Sequence, residues 1–121
     1  MRDFQQVAAW QKAHQLTLEV YKTVESFPTS QKYELSKQLT RATSSIGANI
    51  AEGCGRGGDP ELRHFLRIAI GSGFEVENHL LLAKDIGFLP PDDHQRLEQN
   101  IHEVQRMLAS FIRKIESDLQ K

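Results

Sequence analysis

Four apolar stripes, each stepping by three or four residues and each cut off by proline or glycine, constrain this chain more than any other feature. That period places a stripe on one face of an α-helix, because side chains three and four apart lie one above the other. Between Phe4 and Ser26 the stripe is Val7, Trp10, Ala13, Leu16, Val20, Tyr21 and Val24. Phe27-Pro28-Thr29-Ser30 ends it, since proline disfavours helical geometry in the residue before it. From Gln31 to Glu52 the stripe is Leu35, Leu39, Ala42, Ile46 and Asn49, with Ser30 expected as N-cap and Gly53 as the left-handed closing residue. Asp59-Pro60-Glu61 opens the third segment, Asp59 as N-cap and Pro60 in the first turn. Leu62, Leu66, Ala69, Gly73, Val76, Leu80 and Ala83 then run to Gly87. After Pro90-Pro91-Asp92-Asp93 the last stripe is Leu97, Ile101, Val104, Leu108, Phe111, Ile115 and Leu119, with Lys114 and Lys121 near the negative helix end.

Four such helices with three short connections are expected to pack as an all-α, antiparallel up-down-up-down four-helix bundle. A chain of 121 residues suits a single domain spanning 1–121. The 15 basic and 16 acidic residues nearly cancel, so no global charge drives the chain toward nucleic acid or a membrane, and any basic face is local. One cysteine, Cys54, permits no intramolecular disulfide. The start, Met1 to Gln6, carries no apolar run, and no stretch is apolar for the ~18 residues a membrane span needs. A cytoplasmic location is the expectation.

The motifs that suggest chemistry are each better read as structure. Gly53-Cys54-Gly55-Arg56-Gly57-Gly58 matches G-x-G-x-x-G but follows a helix, whereas a dinucleotide fingerprint follows a strand. It reads as a flexible inter-helix loop, in which Arg56 and the free amides opening the third helix could still hold a phosphate. Glu61 and His64 give one Glu-x-x-His where a carboxylate-bridged metal pair needs two. His94, Glu98 and His102 are spaced to chelate, yet read as an exposed face with ordinary i,i+4 contacts. Cys54 has no activating neighbour in sequence and reads as a small turn residue. No cofactor, no metal and no catalytic residue is expected, and the chain is not expected to be an enzyme.

Polar and small residues inside the helices say more. Glycine in a helix interior costs about 1 kcal/mol relative to alanine, so Gly47, Gly71 and Gly73 imply close approach of neighbouring backbones. Asn49, Glu52, Ser72 and Glu75 form a candidate helix-packing or assembly cluster, with Asn49, Ser72 and Glu75 bonding across the contact. Arg41, Arg56, Arg63 and Arg67 form a candidate nucleic-acid surface, balanced against a solvated face paired with acids such as Glu61.

Several of these residues carry a resemblance. Phe27-Pro28, Tyr33-Glu34-Leu35, Gln38, Arg41-Ala42, Ser45-Ile46, Asn49-Ile50-Ala51-Glu52-Gly53, Gly55-Arg56, Phe65-Leu66, Ala69, Gly71-Ser72 and Glu75-Val76-Glu77 resemble the four-helix bundle family encoded in intervening sequences of bacterial 23S ribosomal RNA genes. The resemblance spans roughly residues 4 to 115 and is most specific over Asn49–Arg56 and Gly71–Glu77. It implies a ring-like homo-oligomer, a homopentamer, and it brings no catalytic residue. The accessory protein of diversity-generating retroelements is similar, and that protein binds nucleic acid and a reverse transcriptase. Two departures stand out: Gly58 where a hydroxyl residue often caps the third helix, with Asp59-Pro60 expected to take over, and Gly73 where a larger apolar residue is usual.

The expected function is therefore a non-enzymatic homo-oligomeric binding or scaffolding module. Its partners would be further copies of itself and RNA or an RNA-associated protein, with no membrane. The alternative is a structural protein–protein module without a nucleic-acid role, for which Phe4, Trp10 and Phe74 would supply surface wherever they are exposed.

Overall fold

The computed structural model describes residues 2–121, with the backbone alone described over residues 29–33. A 3₁₀ turn, Phe4–Gln6, precedes four helices: α1 (Ala8–Val24), α2 (Thr29–Cys54), α3 (Asp59–Asp85) and α4 (Pro91–Leu119). Among the described residues there is no strand. The antiparallel register is fixed by named contacts. Thr17 Oγ1 reaches the Thr43 carbonyl while Trp10 meets Gly47. Ser45 meets Ser72 while Gly53 meets Leu62 and Phe65. Glu77 meets His102 while Arg67 meets Glu116, and Glu19 pairs with Arg96 while Lys12 pairs with Glu103. Each helix thus packs on its chain neighbours, α4 closes on α1, and the backbones of the diagonal pairs α1/α3 and α2/α4 stay more than 8 Å apart at every Cα.

The inward stripes largely follow the periodicity. All seven residues expected on α3, from Leu62 to Ala83, are buried, as are Leu97, Ile101, Val104, Leu108 and Ile115 on α4. Six positions differ, of which Val7, Trp10 and Asn49 are half-buried, with Ala9 and Ile50 taking inward places beside them. Tyr21 is 51% exposed, because Val20 and Val24 already fill the inward face of α1. On α4 the residue after Leu108 that turns inward is Ile112 and not Phe111, a choice that a 3.6-residue period leaves open. Leu119, in the last turn, is exposed.

The helix ends need more correction. Residues 4–6 make a 3₁₀ turn, with the Asp3 carboxylate accepting from the Gln5 N–H at 3.0 Å, and extended backbone at Val7 separates it from α1. The turn folds Phe4 edge-on against Trp10, ring centres 5.0 Å apart. Helix α2 starts at Thr29 after Pro28, so Ser30 lies inside the first turn and is not the cap; its side chain, like that of Tyr33, lies outside the described residues. Gly53 does not close α2 in a left-handed conformation. It is a buried helical residue, and a Cβ there would sit 2.9 Å from Phe65 Cβ and 3.0 Å from Leu62 Cδ1. Glycine is required by the convergence of α2 and α3. Gly58, not Asp59, holds the cap position of α3; Asp59 is the first helical residue and faces the Arg2 guanidinium at 3.7 Å.

The left-handed glycine is Gly87, at φ 86. There the Phe88 N–H returns to the Ala83 carbonyl at 2.9 Å and the Gly87 N–H to the Lys84 carbonyl at 3.0 Å, the two bonds of a Schellman close. Phe88 then packs toward Phe27, centres 5.8 Å apart, sealing that end of the core.

Candidate interaction surfaces

The seam between α2 and α3 is partly the polar cluster read from the sequence. Ser45 Oγ and Ser72 Oγ lie 3.0 Å apart, and Asn49 Nδ2 donates to the Ser45 carbonyl at 2.8 Å and to Ser45 Oγ at 3.0 Å. Ser45 is thus the centre, joining Asn49 to Ser72 across the interface. The other two members do not join it. Glu52 is exposed and takes the Arg56 guanidinium at 3.1 Å. Glu75 is exposed and lines a shallow depression with Gln38, Arg41 and His79. The seam therefore works as a packing element: small hydroxyls let two helices approach while satisfying each other.

The three glycines chosen for close approach divide. Gly73 is buried under Gln105, whose side-chain atoms would lie within 2.3–2.5 Å of an added Cβ. Gln105 uses that space to donate to the Ile70 carbonyl at 3.0 Å. Gly47 seats the edge of Trp10, whose Nε1 is 3.3 Å from the Cβ position. In both, side chain meets backbone rather than backbone meeting backbone. Gly71 is exposed with nothing within 4 Å, so no contact inside the chain requires it.

The four arginines do not form one cluster. Arg63 and Arg67 converge from α3 on Glu116 of α4, at 4.0 and 2.8 Å. Arg56 is held by Glu52 and lies over the Phe65 ring at 5.2 Å. Arg41 is separate, beside Glu75 and His79. Three of the four are thus partly neutralised within the chain. Among the described residues the cations with no acid within ion-pair reach are Lys22 on α1, Arg41 on α2, and Arg106, Arg113 and Lys114, all three exposed on α4. Their spacing was visible in the sequence. What was not visible is which arginines acquire partners 49 residues away.

The titratable sets singled out in the sequence do not stay together in the fold. His94 is buried, contrary to the exposed face expected; its Nε2 has no hydrogen-bond partner and lies 3.8 Å from Glu98. His102 turns instead to Glu77 of α3 at 2.9 Å, so the His94–Glu98–His102 set is split. Among the described residues no three His, Cys, Asp or Glu side chains gather as a metal site. Cys54 is a buried free thiol within the last turn of α2, not a loop residue. Burial pushes its pKa up, Arg2 opposing and Asp3 adding to that shift.

Two surfaces remain. Along the outside of α3, on the side away from the core, run Ile68, Phe74, Leu81 and Leu82, exposed by 40, 63, 46 and 45%. Gly71 lies between the first two, and Ile86, 47% exposed, follows at the helix end. Phe74 was foreseen as surface; Phe4 and Trp10 are half-buried against the core. The second surface is a cavity of about 440 Å³ where the start of α1 meets the last third of α4, walled by Val7, Met107 and Phe111 and rimmed by Arg2, Ser110 and Lys114.

Residues 5–110 match the family model described as 23S rRNA-intervening sequence protein. The chain belongs to that family. The fold has a solved counterpart in a Bacteroides thetaiotaomicron protein of unknown function from the S23 ribosomal protein family, with a TM-score of 0.81. That structure is 24% identical, and the alignment covers 87% of this chain and 95% of the other. No curated protein matches the sequence. The four-helix architecture is thus shared at low identity, and the family description carries no reaction. No helix of the described residues is long and apolar enough to cross a membrane.

Proposed function

We propose that this chain is a non-enzymatic, cytoplasmic helical bundle that works by assembling with copies of itself into a closed homo-oligomer, a pentamer, and by presenting that assembly as a scaffold. The observation that carries this reading is the outer stripe of α3. A helix of a solitary bundle needs only one apolar face, whereas α3 also exposes Ile68, Phe74, Leu81 and Leu82 outside its buried one, among Arg67, Glu75 and Asn78. Exposed aromatic and aliphatic side chains grouped on one helix mark protein interfaces rather than ordinary surface. A further exposed pair, Leu18 and Tyr21, lies on α1, diagonally across the bundle from α3. Two distinct apolar patches on opposite sides suit a heterologous contact, which closes into a ring when the rotation allows. Light scattering coupled to size exclusion tests this. The wild-type chain should elute as one discrete multimer and the double variant F74E/L81E as a monomer with unchanged helicity. A monomeric wild type would end the reading.

For the outside partner, the three unpaired cations on α4 favour RNA or an RNA-associated protein over a purely structural role. Their charge is not already spent on acids of the same chain, unlike that of Arg56, Arg63 and Arg67. Filter binding with single-stranded RNA should show a larger loss for R106A/R113A than for R56A/R63A/R67A, with a flatter salt dependence. Equal, negligible losses in both would leave the structural protein–protein module as the better reading.

A further inference from the structure

We infer that the cavity between the start of α1 and the end of α4 is a binding site for a small amphiphilic anion, an aromatic or short acyl group carrying one anionic head. The argument begins with the walls. Val7 comes from the extended residue that separates the 3₁₀ turn from α1, and Met107 and Phe111 come from one face of α4. The register that turns Ile112 into the core leaves Phe111 half-buried, one side against the protein and the other toward the cavity. The resulting volume, about 440 Å³, falls in the lower part of the range of ~300–1,000 Å³ in which small-molecule sites lie. The concavity is open to solvent, and an apolar group seated on Val7, Met107 and Phe111 would remove their surface from water.

The rim fixes the sign of the head group. No acidic residue lines the cavity. Lys114 has no acid within ion-pair reach, and Ser110 offers a hydroxyl that makes no hydrogen bond within the chain. Arg2 is anchored there by three separate contacts: its N–H donates to the Cys54 carbonyl at 3.1 Å, its guanidinium faces Asp59 at 3.7 Å, and it lies over the Phe111 ring at 5.4 Å. Asp59 offsets part of the Arg2 charge over the aromatic wall, and Lys114, which has no acid beside it, leaves the mouth with a net positive balance. Met107 adds adaptability, since its unbranched thioether moulds to occupants of different shape. A neutral apolar ligand would leave Lys114 and Ser110 unused, and a bare inorganic anion would leave the walls wet. Only a molecule with both parts satisfies both halves of the site. This site stands apart from the α3 stripe and does not rest on self-association.

The probe is 1-anilinonaphthalene-8-sulfonate, an aromatic anion, titrated into the full chain by fluorescence and calorimetry. Two variants address the site. A8E places a carboxylate on the cavity wall, in the first helical turn of α1, where no acid now stands and where negative charge favours the helix. K114E reverses the free rim charge on an exposed position. Each should weaken one binding event about tenfold or more, equivalent to about 1.4 kcal/mol, with helicity and thermal midpoint retained. F74E, on the α3 stripe, should leave that event unchanged. Competition then identifies the source: displacement by adenosine monophosphate points to a nucleoside phosphate, and displacement by octanoate to an acyl carboxylate. Unaltered binding in both A8E and K114E would overturn the assignment. So would displacement by inorganic phosphate alone, or by none of the three competitors.

Discussion

The outsides of α3 and α4 are built on matching inward stripes and yet differ in chemistry. Facing away from the core, α4 shows Gln99, Glu103, Arg106, Ser110 and Arg113, a wholly polar row. Over the comparable outward face α3 shows Arg67, Gly71, Phe74, Glu75, Asn78, Leu82 and Asp85, so that Phe74 and Leu82 stand among polar residues, with Ile68 and Leu81 exposed on the two flanks. Folding the monomer asks the same of both helices, one apolar face, and α4 provides that and nothing more. The surplus on α3 is therefore not explained by the bundle. The proposed assembly accounts for that surplus as a face that a neighbouring copy would cover.

That contrast can be attacked from the inside first, where the largest effects lie. Leu66→Ala on α3 and Ile101→Ala on α4 should each cost about 2–5 kcal/mol in urea unfolding, because both side chains are fully buried. Phe74→Ala and Arg106→Ala on the outer rows should each stay within about 0.5 kcal/mol for the dissociated chain. A Phe74→Ala cost comparable to that of Leu66→Ala in a monomer would mean that the stripe belongs to the fold after all.

Glycines sharpen the point at intermediate scale. Gly53→Ala forces a Cβ against Phe65 and Leu62 and should destabilise by about 1–3 kcal/mol. Gly71→Ala meets nothing within the chain and should stabilise the monomer by about 0.5–1 kcal/mol through helix propensity. If the same Gly71→Ala change weakens the assembly measured by sedimentation, the glycine serves a contact between chains; stronger or unchanged assembly would place the interface elsewhere. The smallest effect concerns charge. Glu116→Gln removes the acid that Arg63 and Arg67 share and should cost less than about 1 kcal/mol, the half-exposed carboxylate being well screened. It should at the same time raise RNA retention if those arginines, once released, can reach phosphates.

The sequence disclosed the helices because the 3.6-residue period repeats over several turns in every segment, and the proline and glycine breaks leave few other boundaries. It disclosed less at single positions. Phe111 and Ile112 follow Leu108 by three and four residues, both steps serve a helix, and only packing decides between them. Gly53 carries the usual signature of a helix close, yet proximity of α3 forces it into the helix, and that proximity is a tertiary fact. For the surfaces the limit is similar. Arg63 and Arg67 read as basic until Glu116 arrives from another helix, and Lys114 reads as a helix-end charge until the start of α1 builds a cavity beside it. Local composition shows which groups are present, while the long-range pairing decides which are left over.

Trp10, the single tryptophan, has a consequence for how this protein can be watched. Its indole is stacked on His14 at 4.7 Å, meets Phe4 edge-on and rests against Gly47. Every one of those neighbours belongs to the N-terminal turn, α1 or the middle of α2. Intrinsic emission therefore reports on one side of the bundle and is blind to the α3–α4 hairpin and its Schellman close. Fluorescence and far-ultraviolet dichroism would superimpose in a denaturant titration only if the molecule melts as one cooperative unit. Where they part, the gap between the two curves measures how far the N-terminal turn and α1 let go before the rest.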